Sequence, residues 1–460
     1  MATARTALDG RSLALQALLR GGSQGVLDAI LRGDAGTAHP PDAGDGREHA
    51  LATQLTYGVV KMRRALEWSL SPYLRKPLAE LDPALRSVLL LGAYQLLYLK
   101  KIPAHSAVDE SVGLARRHGH AGTAAFANAV LRKLAAQPAR PPPPQDAADL
   151  KGFADFASVP EWLARHWIDR FGFADALRVA QGVNGPARRA LRINLTRVDK
   201  AALVAELSTQ HLVLADSRYG IRECLIIDPS AGHARKLSSS LRLGLVTVQS
   251  EESQLAAHVL RPGADDIVID VCAGRGVKAG ALAERASAPD RSLFALDDDA
   301  AKLALLVAEM RRLRRPLPVT VHWDAQRPYP PAIPANADAV LVDAPCSGIG
   351  TVGRHAELRW EKQASDPARL GATQLRILAQ ASQAVRPAGR LLYTVCSTAP
   401  EECETVVDSF LRSTRDWHAQ PIDTATAPQD ARRLGDFLLT LPGVDGADGF
   451  FYALLRKRPL

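Results

Sequence analysis

The feature that most restricts the fold of this chain is an alternation of short apolar runs and helix-like segments after Gly263. Each run ends in small or polar residues, as in DIVIDVCAG, SLFALDDD, ADAVLVDAPCSG and GRLLYTVCS. Strands that alternate with helices form a doubly wound parallel sheet, and ligands bind such sheets beyond the carboxyl ends of the strands. We therefore expect an α/β, Rossmann-like domain over residues 259–460, with its site in the loops after these runs.

The residues before 259 divide at a proline-rich stretch, PARPPPPQ, which begins at Pro138. Consecutive prolines cannot continue a helix and favour an extended, stiff chain. Before them, LDPALRSVLLLGAYQLLYL and TAAFANAVLRKLAA have helical spacing, and Asp82 is placed to cap the first of these helices. We expect an all-helical domain over 1–137, a linker over 138–158, and a small α+β module over 159–258 that contains the helix EWLARHWIDRFG and the strand LRINLTR.

Charge and cysteine content limit the class of protein. The 460-residue chain carries a formal net charge of +8, which favours an anionic partner but also suits a merely basic soluble enzyme. Its five cysteines form no CxxC pair, so we expect no metal site. Because the sequence shows neither a leader nor a run of about 18 apolar residues, we expect a cytoplasmic protein without a membrane partner. We also expect a monomer.

A glycine turn in VIDVCAGRGVKAG follows the first apolar run of the α/β region. Gly274 and Gly276 allow a tight turn, although a plain strand–helix connection would also use them. Asp297 follows about 20 residues later, where an acid can bind the ribose hydroxyls of NAD or of S-adenosylmethionine. Asp324 ends a further run and is placed for the adenine side. Each acid alone could be a cap, but their succession predicts a nucleoside-containing cofactor.

Two cysteines lie just beyond strand-like runs, Cys346 in DAPCSGIG and Cys396 in YTVCSTAPEE. Small neighbours make both side chains accessible, whereas Cys224, Cys272 and Cys403 suit structural positions. A thiolate in such a loop is a nucleophile when positive charge or hydrogen-bond donors favour it. Spacing alone does not decide which of the two cysteines attacks a substrate.

Longer blocks carry a family resemblance. DAPCSGIGTVGRHAELRW, YTVCS followed by PEE, and DGADGFFYALLRK resemble the NOL1/NOP2/Sun family of RNA cytosine-5 methyltransferases. The N-terminal LRSVLLLGAYQLLYLKKIPAHSAVDESVGLAR and FANAVLRKL resemble the NusB-like RNA-binding domain, a pairing similar to that of bacterial 16S rRNA methyltransferases. The resemblance implies S-adenosylmethionine as cofactor, RNA of the small ribosomal subunit as partner, and methyl transfer to carbon 5 of a cytosine.

The resemblance also implies residue roles. Cys396 would bond covalently to the cytosine, Cys346 would assist proton loss or product release, and Asp343 would contact the cytosine and the cofactor. The first motif, CAAPGGK in most of the family, reads CAGRGVK here. The implied cofactor pocket comprises Cys272, Ala273, Gly274, Arg275, Gly276, Val277, Lys278, Asp297, Asp324 and Asp343.

A cytosine within a duplex hides its ring carbons, so the base must be flipped out or already unpaired. Candidate RNA contacts are Arg192, Arg354, His355 and Arg359. The Arg311–Arg315 run could add phosphate contacts or form a solvated helix face, and Trp360 could stack on a base or pack in a core.

Three other functions remain open. A DNA cytosine-5 methyltransferase would attack from a Pro-Cys loop and carry a DNA-recognition insert, whereas this chain has Cys396 and no recognisable insert. A non-catalytic RNA-binding or antitermination-type factor would not need both cysteines and three strand-end acids. A small-molecule methyltransferase would not need a basic helical domain.

Overall fold

The computed structural model describes residues 9–20, 46–228, 237–286, 292–331, 333–423 and 431–459. The chain forms two compact units, one of residues up to Asn184 with His355–Gln363, the other of Gly185–Arg354 with the residues from Ala364. Within the described ranges, every helix is too short or too polar to cross a membrane.

The first unit is built from helices. In chain order they are α1 (Gly10–Arg20), α2 (Gly46–Leu70), α3 (Pro83–Tyr98), α4 (Ala104–Arg117), α5 (Ala121–Ala136), α6 (Leu150–Ala157), α7 (Glu161–Phe171) and α8 (Phe173–Asn184). Asp82 caps α3 as predicted, because its carboxylate accepts from the backbone N–H groups of Ala84 at 2.9 Å and Leu85 at 3.1 Å. Buried leucines, among them Leu15, Leu55 and Leu89, form the core of α1 to α5.

The structure differs from the predicted boundaries between residues 138 and 184. The stretch predicted as a linker contains α6, which Asp149 caps through Gly152 N at 2.8 Å and which buries Phe153 completely. Helices α7 and α8, predicted to belong to the α+β module, lie in the helical unit. An eight-residue helix that begins a few residues after a proline run has too few turns to show its periodicity in the sequence.

The second unit opens with a small antiparallel sheet. Its elements are β1 (Arg189–Ile193), α9 (Lys200–Thr209), β2 (Leu214–Asp216), β3 (Cys224–Ile227), α10 (Ser238–Arg242) and β4 (Val246–Val248), with strand order β2-β3-β1-β4. Leu191, Leu203 and Leu207 belong to a hydrophobic cluster of its own. This is the predicted α+β module, without the helices that precede Gly185.

The remaining elements form the large mixed sheet and its helices. They are α11 (Glu251–Leu260), β5 (Val268–Asp270), α12 (Val277–Ala283), β6 (Leu293–Asp297), α13 (Ala300–Leu313), β7 (Val319–His322), β8 (Ala337–Asp343), α14 (Leu358–Glu361), α15 (Asp366–Ala381), β9 (Val385–Val395), α16 (Glu404–Ser413), β10 (Trp417–Ala419), β11 (Arg432–Leu434), β12 (Phe437–Leu439) and β13 (Phe451–Lys457). Of these, α14 belongs to the first unit.

The strand order is β11-β12-β13-β9-β8-β5-β6-β7, with β10 beside β13. Neighbouring strands from β9 to β7 in this order are parallel, whereas β13 pairs with β9 antiparallel. The doubly wound Rossmann-like fold, the α+β module and the helical first domain are therefore confirmed. Because parallel strands end at one edge, the loops after β5, β6, β8 and β9 lie at the same edge of the sheet.

Candidate active site

The two loop cysteines meet at the carboxyl ends of β8 and β9. These strands are parallel neighbours, with Asp343 opposite Thr394 in register. Cys346 and Cys396, a few residues further along, have their Sγ atoms 3.2 Å apart. A hydrogen bond from Gly350 N to the Cys396 carbonyl oxygen, 3.1 Å long, also joins the loops. The strand pairing thus brings together two cysteines that are fifty positions apart in the sequence.

The protonation of Cys346 follows from this contact. The hydrogen bond to the Cys396 sulfur, together with burial, raises the pKa of the Cys346 thiol well above its usual value. Cys346 therefore stays a thiol at neutral pH, which suits it as a hydrogen-bond or proton donor to its neighbour.

An ion pair lies next to the cysteines. Lys278, in the first turn of α12, places Nζ 2.6 Å from Oδ2 of Asp343 at the end of β8. Burial acts to lower the pKa of Lys278, but the Asp343 carboxylate outweighs it and the pKa is raised, with a further contribution from Cys396. Lys278 therefore keeps its charge, and it forms an electrostatic cluster with the acid and the sulfur.

The glycine turn lies between β5 and α12. Gly274 and Gly276 have φ angles of 54° and 85°, and a Cβ atom on Gly276 would lie 2.7 Å from the Leu306 side chain. Gly274 N donates to Oδ2 of Asp297 at 2.8 Å, so the acid at the end of β6 holds the turn directly. Both glycines and Asp297 are therefore needed to form the turn itself. The backbone around Gly274 is open to a ligand.

Asp270, the last residue of β5, is not among the residues predicted from the sequence. Its side chain is 1% exposed, and neither carboxylate oxygen has a hydrogen-bond partner among the described residues. Burial and the neighbouring Asp343 raise the pKa of Asp270 to about 8. A buried acid without a partner is unfavourable unless a ligand supplies donors or positive charge. Its position directly before the glycine turn was the signal that could have identified it.

The other predicted cofactor residues lie around this turn in different settings. Burial and Asp270 raise the pKa of Cys272 well above its usual value, whereas Arg275 is exposed. Asp324 caps its own turn through Gln326 N at 3.0 Å. Its neighbour Trp323 donates its backbone N–H to the Asp297 carbonyl at 3.0 Å, so Asp324 follows directly after a residue held by the β6 end.

Arg192 is not available for RNA, contrary to the prediction. Its side chain is 1% exposed. The guanidinium pairs with Glu284 at 3.2 Å, donates to the Val277 carbonyl at 2.7 Å and also donates to Gln249. Because Val277 begins α12, Arg192 supports the helix that follows the glycine turn.

Arg359 is likewise excluded as an accessible RNA contact. It is fully buried in the first unit, where it donates to the Lys61 carbonyl at 3.0 Å, Asn184 Oδ1 at 2.7 Å and the Val183 carbonyl at 2.9 Å. Burial lowers the pKa of this arginine to about 9. Trp360 donates its indole N–H to the Val60 carbonyl at 2.8 Å, so both side chains anchor residues 355–363 within the helical unit.

Two predicted RNA contacts remain accessible. Arg354 is paired with Asp448 at 2.6 Å but is about one quarter exposed, and His355 is about one third exposed. The arginines of the run at 311–315, predicted either to contact phosphates or to form a solvated helix face, are not all alike. Arg312 and Arg315 bind Glu309 and Asn194 within the second unit, whereas Arg311 and Arg314 are exposed.

Comparisons with known proteins show the family of the chain. Residues 257–456 match the sequence profile described as 16S rRNA methyltransferase RsmB/F, and residues 9–136 match that of the NusB family. The ribosomal RNA small subunit methyltransferase B of Thermus thermophilus is 33% identical over 451 residues, which are 97% of each protein. The chain belongs to the RsmB/F family of methyltransferases. It is accordingly an S-adenosylmethionine-dependent methyltransferase with an N-terminal NusB domain.

Two further relatives span nearly the whole chain. The probable ribosomal RNA small subunit methyltransferase B of Bacillus subtilis is 29% identical over 453 residues, 97% of this chain and 98% of the relative. The crystal structure of PH0851 superposes with a TM-score of 0.79 over 99% of this chain and all of that one. At 23% identity, this second likeness shows that the fold is shared along the full chain.

Proposed function

We propose that this RsmB/F-family protein methylates carbon 5 of a cytosine in 16S rRNA through a covalent bond between Cys396 and carbon 6 of the ring. The observation that carries the proposal is the 3.2 Å contact between the sulfurs of Cys346 and Cys396, next to the Lys278–Asp343 ion pair. The two relatives described above are small subunit rRNA methyltransferases by name, which supports 16S rRNA as the substrate.

The residues around the glycine turn fit the cofactor. S-adenosylmethionine, when bound, supplies an electrophilic methyl group next to a positively charged sulfonium. The buried Asp270 carboxylate, which lacks a partner among the described residues, suits the cationic part of this molecule. We propose that Asp297 also accepts hydrogen bonds from ribose hydroxyls, and the open backbone at Gly274 allows close approach. Asp324 is proposed for the adenine side.

The chain's own groups divide the chemistry among them. The Cys396 thiolate forms a bond to carbon 6, and the electron pair released from the ring double bond makes carbon 5 nucleophilic. Asp343 holds a proton at ring nitrogen 3 while that charge develops. The electron pair then bonds carbon 5 to the methyl carbon, whose bond to the sulfonium sulfur would break and leave its electrons on that sulfur.

Product release reverses the covalent step. Solvent water takes the proton on carbon 5, and the electron pair of that C–H bond restores the ring double bond. The bond to Cys396 breaks as its electrons return to the sulfur, which leaves as a thiolate. The Cys346 thiol stabilises the departing sulfur by hydrogen bonding, in keeping with its raised pKa. Arg354 and His355 follow the Cys346 loop in the sequence and are proposed to contact RNA phosphates.

Bisulfite mapping tests the product and its position together. Purified protein is incubated with unmodified 16S rRNA and S-adenosylmethionine, and one cytosine is expected to become resistant to bisulfite conversion. The Cys396→Ala variant is expected to leave every cytosine convertible. Nucleoside mass spectrometry that finds the methyl group on a ribose oxygen or on an exocyclic nitrogen would refute the proposed chemistry.

A further inference from the structure

The two cysteine loops share one buried carboxylate, that of Glu402. This side chain is fully buried and accepts hydrogen bonds from both loops. Its Oε1 accepts from Ser347 N at 2.7 Å, and its Oε2 accepts from the Ser347 hydroxyl and from the Ser397 hydroxyl, the latter at 2.5 Å. Ser347 follows Cys346 and Ser397 follows Cys396, so one carboxylate holds the residues next to both sulfurs.

A second side chain completes the arrangement. Gln374, on α15, donates from Nε2 to Glu402 Oε1 at 3.1 Å and to the Pro345 carbonyl at 2.9 Å. The Tyr393 hydroxyl donates to Gln374 Oε1 at 2.9 Å, which fixes the orientation of the amide. The residues on both sides of Cys346 are therefore tied to Glu402, Ser347 directly and Pro345 through Gln374.

We propose that Glu402 is a positioning residue that sets the separation of the Cys346 and Cys396 sulfurs, and thereby the rate of product release. The inference rests on the proposed function, in which the two sulfurs cooperate. Glu402 needs no contact with substrate or cofactor for this role. A carboxylate suits it, because hydrogen bonds to a charged acceptor are stronger than neutral ones, and because its two oxygens accept from four donors at once.

The chain offers a matched pair of substitutions for the test. Glu402→Gln preserves size and keeps one oxygen for the two N–H donors, but it places an NH₂ group against the two serine hydroxyls. Glu401→Gln makes the same change of charge one residue earlier, at an exposed side chain. Glu402→Ala removes the acceptor entirely and gives the upper limit of the effect.

The first readout is independent of methylation. Diamide removes two electrons and two protons from a pair of thiols, which become a disulfide while diamide becomes the hydrazine. Peptide mass spectrometry then follows the disulfide between Cys346 and Cys396 with time. Since a misplacement of about 1 Å can reduce the rate of an oriented reaction about 100-fold, we expect Glu402→Gln to slow this disulfide at least about tenfold. Glu401→Gln should react at the wild-type rate.

The second readout is turnover. We expect Glu402→Gln to lower kcat about tenfold while KM for RNA changes less than about twofold, since no RNA contact is removed. Glu402→Ala should lower both the disulfide rate and kcat further, with unchanged binding of S-adenosylmethionine as evidence that it is folded. If Glu402→Gln and Glu401→Gln form the disulfide and turn over RNA at equal rates, the positioning role is wrong, whatever Glu402→Ala does.

The two readouts separate this inference from the proposed function. A slower disulfide in Glu402→Gln, in a protein whose wild type makes no 5-methylcytosine, would support the positioning role and refute the proposed chemistry. A wild type that makes 5-methylcytosine, with no difference between the two glutamine variants, would do the reverse.

Discussion

The cysteine loops (residues 344–351 and 396–403) and the cofactor turn (residues 271–276) lie at one edge of the same sheet. They differ in whether the protein supplies hydrogen-bond donors to the buried carboxylate in each region. Between the cysteine loops, the Glu402 carboxylate has a full set of protein donors. Beside the cofactor turn, neither oxygen of Asp270 has one among the described residues. The first region is complete without a ligand and fixes the distance between two reacting groups. The second keeps binding capacity for a ligand that carries donors or positive charge.

The largest expected effect tests whether Cys346 and Cys396 have different roles in the reaction. Cys396→Ala should abolish methylation and the covalent adduct, because the attacking sulfur is gone. Cys346→Ala should slow release and let a protein–RNA adduct accumulate, because the departing thiolate loses its hydrogen-bond donor. Electrophoresis under denaturing conditions, with labelled RNA and S-adenosylmethionine, detects the adduct. An adduct in Cys396→Ala and none in Cys346→Ala would exchange the two roles.

The next effect tests whether the Asp270 carboxylate binds the cationic part of S-adenosylmethionine. Asp270→Asn should weaken S-adenosylmethionine binding about tenfold to 100-fold, since a charged hydrogen-bonding group is lost from a buried site. The pKa of about 8 adds a pH signature. Below that pH the free wild type must lose a proton to bind the cation, so its affinity should rise from pH 6 to pH 8. Titration calorimetry should show little such rise in Asp270→Asn, and a parallel rise in the variant would contradict the role of Asp270.

A smaller effect concerns the stability of the protein without cofactor. Because the pKa of Asp270 is raised in the folded state to about 8, folding retains a proton that the unfolded chain loses near pH 4. The contribution of this group to stability therefore falls as pH rises from about 4 to 8. Asp270→Asn lacks this loss, so its Tm should exceed that of the wild type by more at pH 8 than at pH 5. Thermal melts at both values measure the difference, and a constant difference would mean that Asp270 is already ionised.

Arg192 tests the protein's own support of the cofactor turn. Arg192→Met should destabilise the protein by about 1–3 kcal/mol, because Glu284 and the Val277 carbonyl lose their donor in a buried position. Denaturant unfolding measures this change. The salt dependence of RNA binding should stay the same, since the guanidinium is not exposed. A weaker salt dependence with normal stability would restore the predicted RNA contact.

The sequence predicted those parts of the site that follow from local order. Cys346, Cys396, Asp297 and Asp343 each follow an apolar run, and parallel strands bring such positions to one edge. Which cysteine contacts which neighbour was beyond the sequence, as was Glu402, whose contact with Ser347 joins residues 55 positions apart.

Buried arginines were misread for the same reason. Arg192 and Arg359 look like phosphate ligands by composition, and only partners 92 and 175 residues away show that they are internal supports. Helix α6 was missed because eight residues after a proline run show too little periodicity. Local patterns therefore identified the strands and their terminal residues, whereas the polar groups that hold the loops depend on long-range pairing.

The smallest expected effect concerns Arg354. Its charge is partly satisfied by the protein, unlike that of Glu402, which has a full set of protein donors, and that of Asp270, which has none among the described residues. Its guanidinium is paired with Asp448 and is also partly exposed. Because the Asp448 carboxylate already neutralises part of its charge, its attraction for an RNA phosphate is weakened. Arg354→Met should reduce the slope of log affinity against log salt by at most about 0.7, the value for one phosphate contact on single-stranded RNA. Filter binding at several KCl concentrations measures the slope, with Arg192→Met as the control that should not change it. An unchanged slope in Arg354→Met would show that Asp448 satisfies Arg354 fully, as the protein donors satisfy Glu402. The phosphate contacts of the second unit would then lie elsewhere, and the exposed Arg311 and Arg314 would be tested next.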